Sequence, residues 1–223
     1  NMVNVAALTL GNKYEGAYQY PTNVKLINTT ITSAGSAANA YPAIYAWANK
    51  AEENGVTISY DNCTINGKIV YGDDGRNINA TVENGIAQID DTQYLTLVDA
   101  IAAAESGDTV TLLRDYTGGG IGTYRNPGTD ANGNPQIAVK DFVLDLNGHT
   151  YTVDSPAVGS KGYESQAFHL EKGVAVTLKN GTITSTGSLV KMLIQNYCDL
   201  TLDNVVLDGT NLPANQYTLS NNC

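Results

Sequence analysis

One phrase recurs five times along the 223 residues, at uneven intervals but with its apolar letters in fixed places. The copies are VKLINTTI (24–31), ISYDNCTI (58–65), LDLNGHTY (144–151), VTLKNGTI (176–183) and LTLDNVVL (200–207). Counted from one index position, every copy is apolar at −4, −2 and +3, and four carry asparagine at the index: Asn28, Asn62, Asn180 and Asn204. In the third copy Gly148 holds the index and Asn147 falls one residue early. Against a 42% apolar background, fifteen matches in fifteen positions arise by chance about twice in a million trials at a fixed register, and a hundredfold allowance for choosing the register still leaves a signal. The alternation before the index is a strand with one buried face. The asparagine marks a corner, because Asn tolerates the left-handed backbone and its amide can bond the same group in the next copy. The +3 residue then points inward from a second short strand.

A third strand precedes the phrase in three cases: AIYAW (43–47), AFHLE (167–171) and KMLIQN (191–196). Three short strands per copy, with like residues over like, predict an all-β fold of the parallel β-helix type, in which no coil can bury its apolar face alone. The index spacings of 34, 86, 32 and 24 residues are read as insertions leaving from corners. Composition agrees: 22 Gly, 14 Tyr and only 15% charged residues suit many short strands joined by turns.

The widest gap holds a different signal. In YLTLVDAIAAAESGDTVTLL (94–113), Leu97, Ala100, Ile101 and Ala104 share one helical face, Gly107 is the expected residue just past the helix end, and TVTLL is a strand. A short amphipathic helix near 96–105 would cap the first coil of a second module, shielding apolar surface and free sheet edges. This stretch, with DFVLDLNGHTYTV and VAVTLKNGTITS, resembles the pectate-lyase-like right-handed parallel β-helix modules of long, repetitive surface proteins of Gram-positive, often gut-dwelling, bacteria. The resemblance spans about residues 86–223. It implies a right-handed β-helix and an extracellular, cell-surface address. It does not imply an enzyme, because the family name describes a shape. Residues 1–85 are expected to be the C-terminal part of a first module, and 86–223 a second module truncated at its C-terminus. Both ends look cut, so the chain is expected to be a piece of a longer protein or to have its end coils covered by a partner.

Twelve basic against 22 acidic residues leave a net charge of −10, which repels phosphate backbones and anionic membranes, so nucleic acid is not an expected partner. No apolar run is long enough to span a bilayer, so no membrane insertion is expected in this segment, and any export signal is expected outside it. Cys63, Cys198 and Cys223 fit neither a disulfide framework nor a zinc site.

A lyase would need clustered carboxylates for Ca²⁺ and a neighbouring base, yet Arg76, Arg114 and Arg125 all fall in expected turns or loops. Asp90-Asp91 resemble the paired acids of polygalacturonase-like glycosidases, but the accompanying basic and His motifs are missing, which makes them solvated residues at the helix entry. His149 and His169 have no nucleophile motif nearby. Lys179 and Asp203 are expected to form a surface ion pair. No catalytic residue and no cofactor are assigned. The segment 114–140 is read as a long insertion, the best place for binding. It offers Tyr116, Tyr124 and Arg125 to stack on sugar rings, and Asp130, Asn132 and Asn134 as a partial calcium loop without its closing Glu. Threonines at 30, 32, 150, 152, 182 and 184 would face outward, but Asn66, Val206 and Asp208 break the array that an ice-binding face needs.

The expectation is a non-catalytic stalk or adhesin that binds glycan or a host or self surface protein. The alternatives are a carbohydrate-active enzyme, or a filament or surface-layer subunit that self-assembles through open coil ends.

Overall fold

The computed structural model describes residues 6–12, 22–33, 41–48, 55–72, 78–129, 136–187 and 189–222, among which there are twenty-one strands and one helix. The fold is all-β, and its sheets are built mainly from parallel pairs. The chain divides into two compact units, Asn1–Gly85 and Ile86–Cys223. No described helix is long and apolar enough to cross a membrane.

In the first unit three parallel sheets carry the repeat. Thr22–Ile27, Val56–Asp61 and Ile78–Glu83 pair in that order, with Val24 opposite Ile58 and Leu26 opposite Tyr60. Thr30–Thr32 pairs with Thr64–Asn66 so that Ile31 meets Ile65. Leu8–Asn12, Ile44–Ala48 and Ile69–Tyr71 form the third sheet. Ile44, Ala46, Val56, Ile58, Tyr60 and Ile65 are buried, so the middle row is covered by neighbours on both sides. The strand Ile78–Glu83 is a sixth copy of the phrase. Its index residue Asn84 takes φ 50°, in line with Asn28 at 49° and Asn62 at 51°. Its frame positions Ala80, Val82 and Ala87 are apolar as in the other copies, but two of the three are alanines, whose small side chains make the copy inconspicuous.

The second unit opens on a hairpin. Ala87–Ile89 and Thr92–Tyr94 pair antiparallel, with Ile89 opposite Thr92. Asp90 and Asp91 are therefore the hairpin turn, with Asp90 at φ 48°, rather than a helix entry. The helix Leu97–Ala103 follows, capped by Thr96, whose hydroxyl accepts from Asp99 N at 3.0 Å and donates to its carboxylate at 2.7 Å. Leu97, Ala100 and Ile101 are buried in the unit's core. The helix ends at Ala104, and Lys140 Nζ donates to the carbonyls of Ala102 and Ala104 at 2.6 and 2.7 Å. Gly107, at φ 97°, belongs to the turn beyond. A cation is favourable where the last carbonyls have no helical partner.

Four rows then stack. Thr109–Leu112, Phe142–Asp145, Ala175–Ser185 and Asp199–Leu207 pair in parallel, placing Val110, Leu144, Leu178 and Leu202 in one interior column. A second column runs Tyr116, Tyr151, Ile183 and Leu207. A third runs Ile121, Phe168, Ile194 and Leu219, along the sheet of Ile121–Tyr124, Gln166–Leu170, Met192–Asn196 and Tyr217–Asn221. The segment 114–140 is accordingly not one long insertion. Tyr116–Gly118 and Ile121–Tyr124 complete the row begun at Thr109. The glycines at 118–120 and 122 erase the alternation that would have announced these strands.

One register differs from the pattern-based alignment, which put Leu146 beside Leu178. Leu144 takes that place, and Leu146 enters a wider corner, still fully buried. The slip brings Asp145 opposite Lys179, and the expected Lys179–Asp203 pairing gives way to a Lys179–Asp145 ion pair of 3.3 Å. Thr184, expected to face solvent, is only 9% exposed and donates to Asp208 O at 3.0 Å, because the chain after Leu207 folds over it.

Candidate ligand-binding site

The outward face of the third sheet in the second unit gathers the chain's most unusual chemistry. Strand geometry sends alternate residues to opposite faces. Phe168 and Leu170 point inward with Ile194, which turns His169 and its row neighbour Gln195 outward. The segment between Asp154 and Ser165 then returns over this face, tied down by the reciprocal backbone bonds of Val158 and Gln166 at 2.9 and 2.8 Å. A groove of about 220 Å³ remains, lined by Ser160, Tyr163, Gln166, His169, Gln195 and Tyr197.

Aromatic rings frame it. Tyr124 stacks on His169 with centroids 5.4 Å apart, and Tyr197 meets His169 edge-on at 5.8 Å. Tyr124 can do so because Gly122 lies beneath it: a Cβ there would stand 2.5 Å from the Tyr124 hydroxyl oxygen. That hydroxyl donates to Gly159 O at 3.1 Å, fixing the ring against the returning loop. Tyr163 stands 78% exposed at the rim.

The floor is polar and incompletely paired. Four described side-chain atoms are buried with no hydrogen-bond partner, and three of them belong to this groove: Gln166 Oε1, His169 Nδ1 and Gln195 Nε2. Each such atom costs ~1–3 kcal/mol if nothing satisfies it. Burial holds the His169 pKa below the usual histidine value, and the opposing pull of Glu171, 3.9 Å from Nε2, does not reverse it. The imidazole is therefore neutral near pH 7. Nε2 lies on the carboxylate side, at 3.9 Å, so the local field favours the tautomer that carries its proton on Nε2 and leaves Nδ1 as an acceptor.

The residues singled out by sequence divide differently. Tyr124 backs the groove. Arg125 is exposed, and its backbone N–H donates to Glu171 Oε2 at 2.9 Å. Tyr116 stacks on Tyr151 in the interior, centroids 5.8 Å apart, and burial, then the nearby Asp99, pushes its pKa up to about 12. Asp130, Asn132 and Asn134 lie outside the described residues, as does Arg76; among the described residues no cluster of His, Cys, Asp or Glu could hold a metal ion. His149 lies 3.5 Å from Asp115 at a corner remote from His169 in the chain. The index asparagines all take the left-handed backbone, with Asn180 at φ 58° and Asn204 at 53°. Gln166, Gln195, Tyr163 and Tyr197 carry no motif; only the row register reveals that they converge.

No protein-family model matches this chain, and no match was found among the curated proteins or the solved structures.

Proposed function

We propose that the rows of each unit are turns of a right-handed parallel β-helix, and that the chain is a non-catalytic, extracellular segment of a bacterial surface protein that adheres to glycans. The reading of the fold is supported by the unbroken interior columns, which let each row bury the next. The observation that carries the adhesive role is the outward face of the third sheet. In the second unit it presents Tyr124, His169 and Tyr197 beside two amides. In the first unit the third strand likewise alternates buried Ile44 and Ala46 with outward Tyr45 and Trp47. Aromatic faces beside hydrogen-bonding amides suit the apolar and hydroxylated sides of sugar rings.

A second reading, a subunit that assembles through row ends, is favoured by one feature. Leu202 and Leu219 are each 37% exposed, and with Leu200 they flank a concavity of about 580 Å³. Incubating the chain with pectins and host-type glycans, with and without Ca²⁺, separates the possibilities. The adhesive role expects retention on glycan with no change in the polymer. Unsaturated or reducing-end products would replace it with a carbohydrate-active enzyme, and concentration-dependent polymerisation without glycan retention would replace it with the assembly subunit.

A further inference from the structure

Resting on that adhesive reading, we infer that the groove between His169, Gln195 and the Ser160–Gln166 loop is a specific subsite for one neutral sugar residue, a hexose or N-acetylhexosamine ring.

Three independent features converge on that ligand. The first is the balance of unpaired atoms. Gln166 Oε1 is an acceptor, as is His169 Nδ1 in the tautomer that Glu171 favours, and Gln195 Nε2 is a donor. A ligand that completes all three must both donate and accept within a few ångströms. Vicinal hydroxyls do this, each offering one proton and two lone pairs. A carboxylate, sulfate or phosphate only accepts, and would leave both acceptors unsatisfied.

Charge is the second feature. No Lys or Arg lines the groove, Glu171 stands beside His169, and the chain carries a net −10. Lys161 is exposed in the same loop but does not line the groove, so a uronic or sialic acid would meet no cation among the lining residues. Size and placement are the third. At about 220 Å³ the groove is smaller than the ~300 Å³ of pockets for drug-sized ligands, which suits one ring. It lies on a sheet face whose strands Gln166–Leu170 and Met192–Asn196 are paired on both sides, so a peptide cannot add there as a strand.

The three atoms sit just beneath the groove surface, and Gln166 Nε2 is held by Tyr163 O at 3.2 Å and Ser165 Oγ at 3.1 Å, which leaves Oε1 as the free end of that amide. Tyr163, at the rim, supplies a ring face for the sugar's C–H side.

The test titrates the full chain with methyl hexopyranosides, N-acetylhexosamine, galacturonate and sialic acid. It is followed by saturation-transfer NMR and by the His169 ring proton signals, beside the variants Gln195→Ala and Tyr163→Ala. Tyr163 is exposed, so its variant folds; circular dichroism verifies both. The expected result is binding of neutral sugars only, a shift of the His169 signals on titration, and at least tenfold weaker binding in each variant. Neutral-sugar binding that both variants leave unchanged would overturn this subsite and move the adhesive role to another face, such as Tyr45 and Trp47. Preference for the acidic sugars would overturn the assigned ligand class. Failure of every sugar, while the chain is still retained on polysaccharide, would overturn the single-ring subsite alone. Failure of both would take the adhesive reading with it.

Discussion

The two units turn the same corner in two ways. In residues 1–85 two residues separate the paired strands in each row: Asn28 and Thr29 in one, Asn62 and Cys63 in the next. The corners superpose, and Asn62 Nδ2 donates to Asn28 Oδ1 at 2.7 Å. In residues 86–223, four residues, Leu146 to His149, span a corner that Asn180 and Gly181 span in the following row. No asparagine ladder forms there; Asn180 Nδ2 donates to Asp145 Oδ1 at 3.1 Å instead. The interior survives because the extra length is even. A slip of one residue would turn every apolar side chain outward, whereas a slip of two keeps the buried face buried. Gly181 makes room for the wide corner: a Cβ there would stand 2.5 Å from both Leu146 Cβ and His149 O. Insertions in this fold are therefore tolerated at corners according to parity and to whether the neighbouring row offers a glycine.

The largest effect should come from the shared interior, where the two corner types cease to matter. Ile183 is fully buried between Tyr151 and Leu207, and Ile183→Asp puts an unpaired charge there. A loss above ~4 kcal/mol is expected, comparable with the whole stability of a domain, so the second unit should fail to fold cooperatively. Leu202→Asp, in the last row at 37% exposure, should cost only ~1 kcal/mol. Urea melts and limited proteolysis distinguish the two; equal severity would mean that the last row is covered. The corners come next. Gly181→Ala should destabilise by ~2–3 kcal/mol, since the wide corner must shift against backbone. Asn62→Ala, which removes a hydrogen bond and strains a left-handed position, should cost ~1–2 kcal/mol. The reverse order would show that the ladder, not the glycine, sets the tolerance of these corners.

How much of this was legible follows from the same parity. Period-two alternation identifies Leu178, Ile183 and their partners Leu202 and Leu207 without coordinates, and the αL tendency of Asn fixes where the chain turns. Alternation is blind to an even slip, so Leu146 and Leu144 cannot be told apart by pattern, and the Lys179 partner goes wrong with them. The row Thr109–Tyr124 was obscured because Gly118 and Gly122 replace side chains with space that Tyr116 and Tyr124 fold back to fill. The groove was less visible still. Gln166, His169 and Gln195 lie in two strands with the long strand Ala175–Ser185 between them in the chain, and nothing in their local sequence marks them. Their convergence is a property of which rows stack.

The smallest effect is electrostatic and belongs to the wide corner alone. Burial raises the Asp145 pKa, but hydrogen bonds from Asn147 N, at 2.8 Å, and from Asn180, with the Lys179 charge 3.3 Å away, more than offset it and hold the carboxyl below its ordinary value. A carboxylate whose folded pKa is depressed binds fewer protons folded than unfolded. Its contribution to stability is thus fully present above the unfolded value of ~3.9 and disappears as pH falls through the folded one. Asp145→Asn should lower stability modestly at pH 7, and the difference from the parent chain should shrink as pH drops below about 4. Lys179→Met should reproduce part of that change, because it removes one of the three stabilising partners and leaves the backbone and Asn180 bonds in place. Urea midpoints of the three proteins measured from pH 7 to 2.5 test the assignment. A gap that stays constant across that range would mean that Asp145 acts by shape rather than by charge, and the wide corner would then rest on Gly181 and Leu146 alone.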